Sequence, residues 1–321
     1  MHNELNKRET ALEIKDLVRY YGEVLAVDKL TLQVRKGEVF GFLGPNGAGK
    51  TTSIRMMCGL LKPTSGEVWI KGEKLGNAGI RSHHAKVGIC PQEIILWNKL
   101  TCYEQLVFMG RMYDVPGRTA RERADMLLDR IGLREKRNKL ASTLSGGMKR
   151  RLNVIMAIIH EPEIVVFDEP EAGLDPQSRV MVRDFIQQTS AEKTVIFTTH
   201  NMDEAERISD RVAIIDRGKL LQLDTPEHLK KSIGEGDILE LEIKVTKEKS
   251  HDIVSDKLRE YKIDLKVADG RWIINAMDLV PKIPMIYRIL DKEGVQVRSM
   301  NMRENTLEDV FIHLTGRGLR Q

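Results

Sequence analysis

The segment Gly44-Pro45-Asn46-Gly47-Ala48-Gly49-Lys50-Thr51 follows the apolar run Val39–Leu43 and leads into residues 51–60, which read as a helix. It fits G-x-x-x-x-G-K-[ST], the phosphate-binding loop, and that pattern between strand and helix admits few folds. Glycines let backbone amides turn inward around phosphate oxygens, and the helix N-terminus adds partial positive charge. Lys50 is placed to reach the β- and γ-phosphates, and the Thr51 hydroxyl to ligate Mg²⁺. An α/β core with the loop at a strand's carboxyl end is expected.

Three further runs, Val87–Cys90, residues 164–167 and residues 194–198, are nearly continuous in apolar residues. Strands covered on both faces of a parallel sheet read this way. Leu30, Leu32 and Val34 alternate with Thr31, Gln33 and Arg35, which predicts a half-buried strand in an antiparallel subdomain. Ala124, Leu127, Leu128 and Ile131 lie on one helical face, and Pro116-Gly117 separates that helix from another over residues 101–113. A helical subdomain, about residues 100–162, is therefore inserted into the parallel-sheet core.

Near Gly234-Glu235-Gly236 the pattern changes, with Leu239, Leu241, Ile243 and Val245 alternating with Glu240, Glu242 and Lys244. Strands at 238–245, 262–268, 271–276 and 295–300, with helices at 250–260 and 281–293, give the order βαββαβ, a small ferredoxin-like α+β domain. That fold specifies no function. A helix over 306–314 closes the chain, and the expected domains are 1–235 and 236–321.

A phosphate loop needs an acidic metal partner, and the run at 164–167 ends in Asp168-Glu169. Asp168 fits the acid that holds Mg²⁺, and Glu169 is a candidate to orient and polarise an attacking water. Gln92 and His200 end two other buried runs, so both should meet the loop and the acids in the crevice beyond the strands' carboxyl ends. There Gln92 is a candidate Mg²⁺ contact, and His200 a candidate partner of the γ-phosphate or the water. Leu144-Ser145-Gly146-Gly147-Met148 opens a helix with Leu152, Ile155, Met156 and Ile159 on one side, a second anion-seeking helix end. With only one loop able to enclose a nucleotide, the second end is expected to serve another subunit's site.

Together GPNGAGKTT at 44–52, Gln92, LSGGM at 144–148, IVVFDEP at 164–170, AGLD at 172–175 and His200 resemble an ATP-binding cassette (ABC) ATPase, over about residues 10–230. The resemblance implies a P-loop NTPase of the ABC type that hydrolyses ATP with Mg²⁺, and it adds Thr52 to the ATP-binding set. It implies two cassettes facing head to tail, as a homodimer or a heterodimer, with Ser145, Gly146 and Gly147 of one completing the other's site and Asp175 linking the two sites. Tyr21 matches the aromatic that stacks on adenine, with the adjacent Tyr20 left open as the alternative. SGGM followed by Lys149, Arg150 and Arg151, the extra C-terminal domain and residues 306–311 are similar to the daunorubicin-exporter type. Glu171 departs from the pattern, standing where a small or hydroxylated residue is usual. An exporter subunit follows by resemblance: cytoplasmic, peripheral on the inner face of the membrane, and driving separate polytopic membrane subunits docked near Gln92 and residues 93–103.

Composition bears on the alternatives. A net charge of +4 and 5% aromatic residues point away from nucleic acid as partner. The longest charge-free run, residues 39–49, falls well short of the ~18 apolar residues of a membrane span. The charged first dozen residues hold no signal-peptide core, and scattered Cys58, Cys90 and Cys102 suit a reducing compartment. His83-His84, Lys149 to Arg151 and Arg134 to Lys139 read as solvated polar clusters. The rival readings are a DNA- or ribosome-associated ABC ATPase, and an ATPase regulated by a ligand of its C-terminal domain.

Overall fold

A computed structural model describes residues 9–76, 86–233, 237–245, 250–261, 263–268, 271–276 and 279–316. Residues 1–8, the His83-His84 pair and the expected boundary segment 234–236 lie outside the described residues.

Strands β1 (Thr10–Tyr21) and β2 (Val24–Arg35) form an antiparallel hairpin, and β3 (Val39–Leu43) leaves it for helix α1 (Lys50–Met57). Strands β4 (Ser65–Ile70) and β5 (Glu73–Lys74) complete a sheet of order β2-β1-β4-β5. After β6 (Val87–Cys90) come the inserted helices α2 (Cys102–Met112), α3 (Gly117–Arg130) and α4 (Gly146–Met156). Then β7 (Ile164–Asp168), α5 (Pro176–Ser190), β8 (Thr194–Thr199), α6 (Met202–Ile208), β9 (Arg211–Asp216) and β10 (Lys219–Asp224) finish a second sheet of order β10-β9-β3-β8-β7-β6. All its pairings are parallel except that of β10 with β9.

The continuous apolar runs have a simple cause: both faces of this sheet are covered. Val39, Val165, Phe167, Val195 and Phe197 face a core shared with Leu127, Leu128 and Ile155 of the helical insertion. The alternate residues Phe40, Phe42, Ile164, Val166 and Ile196 face a second core with Leu12 and Ile14 of the antiparallel sheet and Ile54 of α1. Ala124, Leu127, Leu128 and Ile131 are buried as their spacing predicts. A capping box, in which Thr101 accepts from the Glu104 N–H and Glu104 in turn accepts from the Thr101 N–H, fixes the start of α2.

One expectation fails here. Arg150 and Arg151 are not on a solvated face but buried, because every residue of α4 from Arg150 to Met156 is enclosed. A run of charges is therefore a poor guide to exposure in this helix. Residues 134–139 are half-buried or exposed, as read from the sequence.

Packing divides the chain between Pro226 and Glu227, within helix α7 (Pro226–Ser232). In the second unit, β11 (Asp237–Val245), α8 (Ser250–Arg259), β12 (Asp264–Ala268), β13 (Arg271–Ala276), α9 (Leu279–Lys292), β14 (Val295–Glu304) and α10 (Leu307–Thr315) follow the βαββαβ-plus-helix order. The sheet order β12-β13-β11-β14, antiparallel throughout, is that of the split βαβ sandwich. Leu239, Leu241, Trp272 and Ile274 pack against Val254, Leu258, Ile286 and Leu290 of the two covering helices.

Within the first unit, β6 approaches the end of α4 so closely that a Cβ on Gly88 would stand 1.9 Å from the Ala157 carbonyl oxygen and 2.7 Å from Pro162 Cγ. Gly88→Ala should therefore destabilise the protein by about 2 kcal/mol or more, read as a lowered thermal midpoint. An unchanged midpoint would contradict this packing.

Candidate active site

Two glycines shape the turn from β3 into α1. A Cβ on Gly44 would lie 2.1 Å from the Ile215 carbonyl oxygen, and Gly49, at φ +99°, would press one within 2.5 Å of the Ala26 carbonyl oxygen. Bare backbone at both ends of the loop is what lets amides close around phosphate. Asn46 and Gly47 are exposed at its tip, Pro45 and Thr52 are half-buried, and Ala48 is buried.

Lys50 is buried; its Nζ donates to the carbonyls of Gly44 at 2.8 Å and Pro45 at 3.2 Å and lies 3.5 Å from Glu169 Oε1. Burial lowers its pKa, and the Glu169 and Asp168 carboxylates oppose that shift. Asp168 ends β7, and its Oδ1 accepts from Thr51 Oγ1 at 3.2 Å and from Thr198 Oγ1 at 2.6 Å. The Thr198 hydroxyl also accepts the Glu169 N–H at 2.8 Å.

Glu169 follows at φ +46°, in the left-handed region a non-glycine residue enters at a cost of roughly 1–3 kcal/mol. Its carboxylate sits 3.3 Å from Gln92 Nε2, 3.3 Å from His200 Nδ1 and 3.5 Å from Lys50 Nζ. The loop lysine, Thr51, Gln92, Asp168, Glu169 and His200 thus meet at the carboxyl ends of β3, β6, β7 and β8, as the topology rule predicts.

Other expected site residues lie outside this hydrogen-bonded cluster. Ser145 caps α4, accepting the Met148 N–H at 3.3 Å, and both it and Gly146 are exposed. A Cβ on Gly147 would lie 2.6 Å from Ser178 Oγ and 3.0 Å from Asp175 Oδ2, so this turn packs on the one bearing Asp175. Asp175 caps α5 by accepting the Ser178 N–H at 2.9 Å, a bond that holds its carboxyl below the ordinary range. Tyr20 and Tyr21 are both exposed at the end of β1, and the Arg19 guanidinium lies 4.9 Å from the Tyr21 ring centre.

Sequence reasoning missed Thr198, whose role depends on the β7–β8 register that sets it opposite Asp168. It also missed Arg150, which hydrogen-bonds the backbone on both sides of the site. Among the described residues no cluster of three or more His, Cys, Asp or Glu side chains could hold a metal. The oxygens of Thr51, Gln92 and Asp168 are hard donors of the kind Mg²⁺ takes when substrate phosphates and water complete its shell.

Glu171 is buried next to Glu204, which accepts the Thr199 hydroxyl at 2.7 Å. Arg183 and Arg179 stand 3.7 and 3.8 Å away, and burial first, then Glu204, raises the Glu171 pKa to about 8. A raised folded-state pKa gives stability that is complete below the ordinary value of 4.5 and is lost as pH climbs through about 8. Glu171→Gln should remove that dependence, so the thermal midpoint of the wild type should fall relative to the variant across this range. Parallel curves for the two proteins would contradict the buried, protonated acid.

Residues 27–172 match the family model described as ABC transporter. The chain is 34% identical to the linearmycin resistance ATP-binding protein of Bacillus subtilis, over 96% of this chain and 99% of that protein. It is 34% identical to the daunorubicin/doxorubicin resistance ATP-binding protein of Streptomyces peucetius, over 95% and 92%. A solved structure described as the ATP binding subunit of an ABC transporter superposes with a TM-score of 0.65 at 28% identity, covering 70% of this chain and 93% of that one. With a phosphate loop, two strand-end acids and a serine-glycine helix start in the arrangement above, the chain belongs to the ABC transporter family as an ATP-binding, ATP-hydrolysing subunit.

Proposed function

We propose that this chain powers an exporter from the cytoplasmic face of the membrane, as one of two cassettes that close head to tail on ATP. The observation that carries the reading is the separation of its parts. Glu169 is held among Lys50, Gln92 and His200, whereas the other phosphate-seeking helix end, at Ser145, is exposed and outside that cluster. Two such chains facing each other would supply what each lacks.

In this mechanism the loop amides and Lys50 bind the phosphates of ATP and offset charge on the γ-phosphoryl group, and Tyr21 stacks on adenine. Mg²⁺ held by Thr51, Asp168 and Gln92 would supply charge neutralisation across the β- and γ-phosphates. Glu169 orients the attacking water and accepts its proton, and His200 positions Glu169 and the γ-phosphate. Ser145, Gly146 and Gly147 of the opposing chain close the site, and Asp175 at the packed turn links one site to the other. Loss of the γ-phosphate removes contacts from both chains and frees the interface.

Motion passes in this reading to separate membrane subunits; no helix among the described residues is long and apolar enough to cross a bilayer. Ile94, Ile95, Trp97 and Phe108 are exposed just beyond Gln92, with Trp97 edge-on to Phe108 at 5.1 Å, an apolar surface suited to a segment of such a subunit. Export is favoured because both relatives are named for resistance to a compound, a result that outward transport achieves.

Glu169→Gln should bind ATP normally, lose hydrolysis by roughly 100-fold or more and accumulate an ATP-dependent dimer in size-exclusion chromatography. Wild-type hydrolysis in that variant would remove Glu169 from its role. Purified from its native membrane, the wild-type protein should carry a polytopic partner. Recovery with ribosomes or DNA instead would overturn the transport reading.

A further inference from the structure

Arg150 is 2% exposed, yet none of the ion pairs among the described residues involves it. Its guanidinium is spent on backbone carbonyls. Nη1 donates to Pro91 and Gln92 at 2.8 and 2.9 Å, Nε donates to Pro170 at 2.9 Å, and Nη2 donates to Asp168 at 2.8 Å and to Glu169. Burying a cation without a counter-ion is costly, and only several well-aimed hydrogen bonds offset it.

The carbonyls it gathers belong to the two segments that aim the reacting groups. Three consecutive ones, from 168 to 170, converge on a single donor group around Glu169, whose backbone stands at φ +46°. The remaining two hold the backbone at Gln92, whose side chain bonds the Glu169 carboxylate at 3.3 Å. A planar fork can hold both segments at once, whereas the three donors of a lysine ammonium sit at one point.

We propose that Arg150 is a positioning residue for ATP hydrolysis, a strut that sets Glu169 against Gln92 by fixing the backbone under both. The proposal rests on the reading of Glu169 as the residue that activates water. Arg150 donates to backbone carbonyls of the segments at 91–92 and 168–170, so its effect passes through the side chains those segments carry, Glu169 foremost.

The test is single-turnover hydrolysis and nucleotide affinity in Arg150→Lys and Arg150→Gln, each alone and combined with Glu169→Gln, in the full-length chain with thermal melts alongside. Each single variant should fold, bind ATP within about twofold of wild type and hydrolyse it roughly 10–100-fold more slowly, since misplacement of about an ångström costs this much. Added to Glu169→Gln, either should cost less than about twofold more, because the group it serves is already gone. Four results would overturn the proposal: unchanged hydrolysis, a loss confined to ATP affinity, losses that multiply in the double variant, or failure of both variants to fold, which would make Arg150 a determinant of the fold alone. Wild-type hydrolysis in Glu169→Gln would defeat the underlying reading instead, so the two failures are distinguishable.

Discussion

Asp168 Oδ1 is the point where three elements of the catalytic unit meet, accepting hydrogen bonds from the hydroxyls of Thr51 at the start of α1 and Thr198 near the end of β8 while its own backbone ends β7. The bond to Thr198 exists because β7 and β8 pair in a register that sets the two residues opposite each other. That register is secured by burial: shifting it by one residue would send Phe167 and Phe197 to the wrong face of a sheet covered on both sides. Thr198 passes the constraint on to Glu169 by accepting its N–H. The reacting groups therefore inherit their placement from the core beneath them.

The same region concentrates charge where water is scarce. Lys50, Asp168, Glu169, Arg150, Glu171 and Glu204 are all buried. Each has a different answer to the desolvation cost. Lys50 uses loop carbonyls and Glu169, Arg150 uses carbonyls alone, and Glu171, its pKa raised by burial and by Glu204, has Arg183 and Arg179 beside it. Such a site is expensive in stability, and the wide apolar cores on both faces of the sheet offset it. The packing of Glu171 against Glu204 places an ionisable pair between the turn after Glu169 and the helix after His200.

Much of this architecture was legible in the sequence for a physical reason. Strands covered on both faces are apolar without interruption, so β3 and β6 could be bounded to the residue, and β7 and β8 to within one. The order of elements in the C-terminal unit was legible because its open-faced strands alternate, although β14 runs on to Glu304, beyond the expected 295–300. The cluster of Lys50, Gln92, Asp168, Glu169 and His200 followed from placing motifs at strand ends. What did not follow depended on neighbours far along the chain. Thr198 matters only through strand register. The charge run Lys149 to Arg151 reads as a solvated face, yet α4 is buried from Arg150 to Met156, and a charged residue there signals a partner instead of solvent.

The central claim is that each hydrolytic site needs Lys50 and Glu169 from one chain and Ser145 to Gly147 from another. Mixing two inactive variants, Lys50→Ala and Ser145→Arg, measures this most directly. In a mixed dimer one site carries both defects and the other carries neither, so ATP hydrolysis should reappear on mixing although each variant alone is silent. Continued silence of the mixture, with both variants folded and able to dimerise, or full activity of Ser145→Arg alone, would contradict it.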